Sequence, residues 1–257
     1  PADSPSRIPI ASITGTNGKT TTSRMVSHIF KSAGKVTGLT TTDGVYIDGH
    51  LTVSGDMTGP ASAGIVLRDP KVEVAVLETA RGGMLRRGIA YRQCNVGAVL
   101  NIQSDHLGLK GVDSLEDLAK VKRTVVEIAT DTAVLNADDV HCLKMAEHTK
   151  SEYLCYVTMN SGHPLVRDHI KAGGRAVVLE QGMGGHMITI YDKGQHIPLI
   201  WSHSIPATLD GRALHNVQNA MFAAGICFSM HVELEEIRHG LRTFDTTFFQ
   251  APGRMNI

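Results

Sequence analysis

"TGTNGKTTT" (Thr14–Thr22) directly follows the apolar run "IPIASI" (Ile8–Ile13). An apolar run, a turn with two glycines, then a lysine among hydroxyls is the pattern of a strand, a phosphate-cradling loop and a helix. Glycines let the backbone curl so that N–H groups face a common hollow. A lysine sets a cation beside it, and the next hydroxyl can hold a magnesium ion. The common phosphate loop has a glycine five positions before Gly18, where this chain has Ile13. The shorter form Gly15-Thr16-Asn17-Gly18-Lys19-Thr20 keeps the working parts, with Thr21 next in the helix. A strand before it and a helix after it aim the amides and the positive helix end at one point. Lys19 then neutralises the β- and γ-phosphates and Thr20 ligates Mg2+. The competing reading is a Gly/Asn turn with a surface lysine.

Outward from the loop, "TTSRMVSHIFKSAG" reads as a helix that buries Met25, Ile29 and Phe30 and stops at Gly34. "KVTGLTTTDGVYIDGHLTV" reads as short strands joined at "TDG" and "DG" turns, and "PASAGIVLRD" as a helix. "VEVAVLE" (Val72–Glu78) and "VGAVLNI" (Val96–Ile102) are nearly continuous in apolar residues, as parallel strands buried on both faces are. Ser114–Ala129 reads as a helix capped by Ser114, with Asp117 in the place of the usual capping-box Glu. Thr132–Asp139 is a further strand ending in polar residues. Strands alternating with helices predict an α/β fold with a doubly wound, mostly parallel sheet.

From Tyr153 to Thr208 the texture changes. "RAVVLE", "HMITIYD" and "HIPLIW", separated by Gly-rich turns, predict a small antiparallel β subdomain at about 153–208. "LHNVQNAMFAAGICFSM" (Leu214–Met230) and "LEEIRHGLRTF" return to helix. One domain is therefore expected over 8–250. The polar, Pro/Ser-rich 1–7 reads as a linker from an N-terminal part, and 251–257 as the start of a C-terminal one.

The 257 residues are 42% hydrophobic, ample for a core, and Lys+Arg and Asp+Glu both number 25. That balance offers no basic field for nucleic acid. Cys94, Cys142, Cys155 and Cys227 form no CxxC pair and no zinc-like spacing, so reduced, partly buried thiols in a cytoplasmic protein are expected. No apolar run approaches the ~20 residues of a membrane span, and no signal-peptide core is present.

Three further places can carry chemistry. Glu78 ends a buried parallel strand at the rim where α/β sheets bind ligands. Alone it would read as a solvated residue; beside Gly15–Thr20 it reads as a metal-holding anion. "NIQSDHLG" (Asn101–Gly108) puts Asp105 and His106 after the next strand, where an imidazole is either a ligand for a divalent ion or a structural residue. "HNVQNA" (His215–Ala220) opens a helix with amides that suit an adenine edge or cap the helix, and "LNADD" is a nucleotide contact or a turn. Lys122, in "LAKVKRT", is by itself an ordinary solvated helical lysine.

"TGTNGKTTT", "LETARGG", "NIQSDHLG", "LNADD", "HNVQN" and "PGRMN", in this order, resemble the ATP-binding central domain of Mur ligases and folylpolyglutamate synthetases. "TTDGVYIDG", "GDMTGP", "VLETARGGMLRRG" and "GLRTF…TFFQAPGRMNI" are similar to the Mur-ligase-like part of cyanophycin synthetases, over Arg7–Ile257. The resemblance implies ATP-dependent amide-bond formation: a carboxylate takes the γ-phosphate as an acyl phosphate, and an amine displaces phosphate. The closer match implies joining arginine to the β-carboxylate of poly-aspartate, with ATP and Mg2+, inside a larger multidomain, homo-oligomeric enzyme. It assigns Lys19 and Thr20 to phosphate and metal, Glu78 to that metal, and His106 to a second. Asn216 and Asn219 are assigned to adenine and Arg254 to the nucleotide. Lys122 aligns with a lysine that several Mur ligases carbamylate, although Lys120 lies close by. The family's "DHLD" reads "DHLG" here, without the carboxylate at Gly108. The acidic peptide is assigned to Thr42, Asp43, Arg81 and the following glycines.

In Mur-like enzymes a C-terminal domain closes over ATP, so this chain alone is expected to bind ATP·Mg2+ weakly and to form no isopeptide bond. Two other expectations compete: a nucleotide-binding scaffold without turnover, and a Mur-like ligase for another acidic peptide or a folate.

Overall fold

Alternate residues of the central strands feed opposite helical layers. In β1 (Ile10–Thr14), Ala11 and Ile13 enter one apolar layer and Ile10 another; in β5 (Val74–Glu78), Val76 joins the first and Leu77 the other. Strands so buried on both faces belong at the middle of a parallel sheet. The structure, a computed structural model, describes residues 8–104, 108 and 111–245.

Five more strands run parallel to these two: β2 (Thr37–Thr40), β6 (Cys94–Val99), β7 (Ala129–Asn136), β8 (Tyr153–Thr158) and β9 (Arg175–Gly182). The parallel order is β9-β8-β7-β6-β1-β5-β2. An antiparallel hairpin extends each edge. β10 (Gly185–Asp192) and β11 (Gln195–Trp201) continue from β9, and β3 (Gly44–Ile47) and β4 (His50–Ser54) continue from β2. The result is one eleven-stranded sheet. The three strands expected to be antiparallel in 153–208 are β9, β10 and β11, and they pair so. β8 was not foreseen; it and its pairing with β9 extend the parallel sheet, with a helix between them.

On one face lie α1 (Lys19–Ser32), α7 (Leu214–Ser229) and α8 (Leu234–Thr243), contributing Met25, Ile29, Phe222 and Leu241 to the core. α7 is rich in Ala and Gly because it lies close on β6 to β9. A Cβ on Gly225 would meet Val177 Cγ2 at 3.1 Å. On the other face lie α2 (Pro60–Arg68), α4 (Leu115–Glu127), α5 (Val140–Lys144) and α6 (Pro164–Lys171). Ser114 caps α4 as expected, accepting from the Asp117 N–H while its own hydroxyl donates to the Asp117 carboxylate. A short helix that the sequence did not suggest, α3 (Arg81–Arg87), follows β5. All four cysteines are free and buried. Among the described residues no helix is long and apolar enough to cross a membrane.

Candidate functional site

The pairings that put β1 between β5 and β6 also make the site. Ile13 is in register with Glu78, and Thr14 with Val99, so the segments leaving the three strands emerge side by side. The loop after β1 rests on the end of β6: a Cβ on Gly15 would meet Leu100 Cβ at 2.9 Å. Gly18 caps α1 at φ 84°, in the left-handed region that glycine occupies without strain. A Cβ there would strike Asn219 Oδ1.

Lys19 folds over the loop and donates to the Thr16 carbonyl at 2.9 Å. Thr20 donates to Glu78 Oε2 at 2.9 Å, and the Thr42 hydroxyl lies 3.2 Å from Thr20 Oγ1. Glu78 is only 2% exposed. Behind it, Tyr91 OH lies 2.6 Å from Ser12 Oγ and 3.2 Å from Thr79 Oγ1, fixing the strand end. Burial pushes the Tyr91 phenol far up, so it stays a neutral hydrogen-bonding group.

Lys122 corrects the solvated reading. It is 3% exposed and its Nζ donates to the Gly15 carbonyl at 2.5 Å, whereas Lys120 points outward toward Asp117. The signal was in the spacing. Leu118, Val125 and Val126 form the buried stripe of α4, and Lys122, four residues after Leu118, lies on it.

Gly15, Thr16, Lys19, Thr42 and Lys122 line a cleft of about 460 Å³. Its charged lining is Lys19, Arg81, Arg86 and Lys122 against Asp56, so the hollow favours anions. Thr42, Thr58, and Gly82 and Gly83 at the start of α3, complete the wall. Gly83 is needed there, since a Cβ would meet Gly59 Cα and Thr58 O, each at 2.9 Å. Asp56, Thr58 and Arg86 line the cleft and were not singled out in the sequence. "GDMTGP" carried only a family resemblance, and Arg86 sits on the unforeseen α3.

Asp43 is placed differently from the other expected substrate residues. Its carboxylate pairs with Arg24 of α1 at 3.1 Å, and the same guanidinium nitrogen donates to Tyr46 OH. Asn216 and Asn219 lie at the start of α7, against the loop. They are 4% and 8% exposed and tied inward: Asn219 donates to Asn216 Oδ1 and accepts from Thr22, while Asn216 donates to the Ala207 carbonyl. "LNADD" forms the end of β7 and the turn into α5. Asn136 donates to Leu100 O, Asp138 accepts from Thr158 and Met159 N, and Asp139 caps α5 and accepts from Ile102 N. Asp105, His106 and Arg254 lie outside the described residues.

A glycine turn closing on a lysine, a threonine and a strand-end glutamate, at the carboxyl edge of a mostly parallel sheet, defines an α/β domain with its cleft at the strand ends. Residues 13–227 match the Mur ligase middle domain model, and the chain belongs to that family. Over its whole length it is 49% identical to the cyanophycin synthetase of Nostoc sp. (strain PCC 7120) and 45% identical to that of Synechocystis sp. (strain PCC 6803). It spans 28% and 29% of those two relatives. Among solved structures, a UDP-N-acetylmuramoyl-L-alanyl-D-glutamate–2,6-diaminopimelate ligase superposes at TM-score 0.69 and 20% identity, covering 95% of this chain and 47% of that one. A bifunctional folylpolyglutamate synthase/dihydrofolate synthase, with Mn, AMPPNP and L-glutamate bound, superposes at 0.61 and 19%, covering 91% and 57%. Both likenesses confirm the fold.

Proposed function

We propose that this chain is the ATP-binding module of an amide ligase, joining an amino acid to a carboxylate of an acidic peptide. The particular reaction proposed is transfer of arginine to the β-carboxylate of poly-aspartate, within a larger multidomain enzyme. The observation that carries it is an anion-favouring cleft lined by Lys19 and Lys122, next to which Thr20 donates to the strand-end Glu78.

The donor set fits magnesium. Thr20 Oγ1, the Glu78 carboxylate and the Thr42 hydroxyl are oxygens held together, the hard ligands such an ion takes alongside phosphate. When bound, Mg2+ would neutralise charge shared between the nucleotide and the attacking carboxylate. In this proposal His106 would hold a second metal ion, and Arg254 would reach the nucleotide from the following domain. Asn216 and Asn219 would meet adenine through the N–H each carboxamide still has to give.

The chain's own residues would act mainly through charge. An anionic carboxylate must approach an anionic phosphate, and preset cations remove that repulsion without reorganising during the reaction. Lys19 can swing from the Thr16 carbonyl to a phosphate oxygen. Lys122 fixes the Gly15 carbonyl from below, so the loop keeps its shape as charge moves above it. Arg81 and Arg86 line the side facing the peptide, and the 49% and 45% identical relatives are named for cyanophycin.

The test is Lys19→Ala in the complete polypeptide. Calorimetric titration with ATP·Mg2+ is expected to show most of the affinity lost, and unchanged binding would refute the loop assignment. Labelled arginine with a β-Asp primer reads the particular reaction, and muropeptide and folate acceptors are the controls.

A further inference from the structure

The loop is fastened from the side by a segment that the catalytic reading leaves unused. Asn101 follows β6, and its Oδ1 accepts from two successive loop amides, Thr16 N at 3.0 Å and Asn17 N at 2.8 Å. Its Nδ2 returns a bond to the Asn17 carbonyl at 3.1 Å. Gln103 repeats the pattern: its N–H donates to Thr16 Oγ1 at 3.0 Å, and its side-chain oxygen accepts from Asn17 Nδ2 at 2.8 Å. Two adjacent N–H groups converging on one oxygen are the arrangement that a bound anion otherwise induces. Here a neutral carboxamide supplies that oxygen.

We infer that Asn101 is a positioning residue for the nucleotide: a built-in, uncharged substitute for an anion that keeps the loop curled before phosphate arrives. The inference rests on the reading of the loop as a triphosphate site. Neutrality is the point of the residue type. An aspartate would lose the bond to the Asn17 carbonyl, as an alanine would. But it would hold the Thr16 and Asn17 amides more strongly, because a charged acceptor makes the stronger bond. It would also place a negative charge beside the triphosphate. An alanine would leave the Asn17 amide to water and hold the Thr16 amide only by the backbone carbonyl of residue 101, 3.0 Å away.

The two substitutions should therefore rank in opposite order in two measurements on the complete polypeptide. In thermal or urea unfolding, Asn101→Asp is expected to be more stable than Asn101→Ala. In calorimetric titration with the Mg2+ complex of a non-hydrolysable ATP analogue, the order should reverse. Asn101→Ala is expected to lose roughly 10-fold in affinity and Asn101→Asp roughly 100-fold, from lost hydrogen bonds and added repulsion respectively. The excess loss in Asn101→Asp should shrink as salt is raised. Asn101→Ser, which keeps a short acceptor, is expected between wild type and Ala. A side chain that merely held the fold together would make affinity follow stability, with Asp above Ala. That result, or wild-type affinity in Asn101→Ala, overturns the inference. Lys19→Ala in the same titration separates the two failures: unchanged binding there removes the nucleotide site itself, whereas lost binding there with unaffected Asn101 variants removes only the role of Asn101.

Discussion

Replacing Gly18 by alanine isolates the contact that joins the loop after β1 to α7. Gly18 and Gly34 both hold left-handed backbone, at φ 84° and 77°, so both should suffer the same conformational penalty. That penalty is about 1–2 kcal/mol for an L-residue. Around Gly34 nothing lies within 4 Å of where an alanine methyl would sit, and the backbone penalty is the whole effect. At Gly18 the methyl lands on Asn219 Oδ1, and the carboxamide has to leave. Its departure breaks the bonds from Thr22 and to Asn216, at roughly 1 kcal/mol each. Gly18→Ala should thus cost about 2 kcal/mol more than Gly34→Ala in urea unfolding. Repeating both in an Asn219→Ala background should bring the two costs together, because the coupled partner is gone. Equal costs in the wild-type background would refute the packing of Asn219 against the loop.

Glu78→Gln keeps an acceptor for Thr20, so its stability should stay within about 1 kcal/mol of wild type. The Mg2+ dependence of nucleotide binding should weaken, and an unchanged Mg2+ titration would count against the metal role. Glu180 titrates below the ordinary glutamate value of about 4.5. Burial works against this, and hydrogen bonds from Tyr191, Thr189 and His196 outweigh it. A lowered folded-state pKa gives stability that is present above the unfolded value and lost as pH falls through the folded one. Glu180→Gln should therefore flatten the acid limb of the stability profile, measured by urea unfolding from pH 6 to roughly 3, around the usual carboxylate range. Burial raises all four thiols that are buried here, Cys155 to about 12, so native protein should resist iodoacetamide at neutral pH while denatured protein is alkylated at every cysteine. Mass spectrometry reads the difference.

The strand, loop and first helix were legible because local chemistry decides them: two glycines, one lysine and an apolar run on each side. Glu78 was legible through its place at the end of a buried strand. Lys122 was hidden by treating a lysine as solvated, although its neighbours Leu118, Val125 and Val126 had already defined the buried stripe. β8, and the parallel pairing that ties β9 to it, were not legible because they depend on partners far along the chain. The antiparallel β9–β11 followed from short strands joined by Gly-rich turns. Arg81–Arg87 escaped because its two glycines are poor helix formers, held there by the close approach of Gly83 to the Thr58–Gly59 backbone. Asn101 gave no signal at all, since its role exists only once β6 lies beside β1.

The central pairing of β1 between β5 and β6 also bears on how the molecule folds. Ile13 meets Glu78 and Thr14 meets Val99, partners separated by dozens of positions with whole helices between them. Closing such long segments has to precede any gain from the contacts, which slows assembly. A half-assembled chain consequently has no place to receive a ligand. Occupancy would act on the finished sheet alone, raising its resistance to unfolding by mass action without hastening its formation.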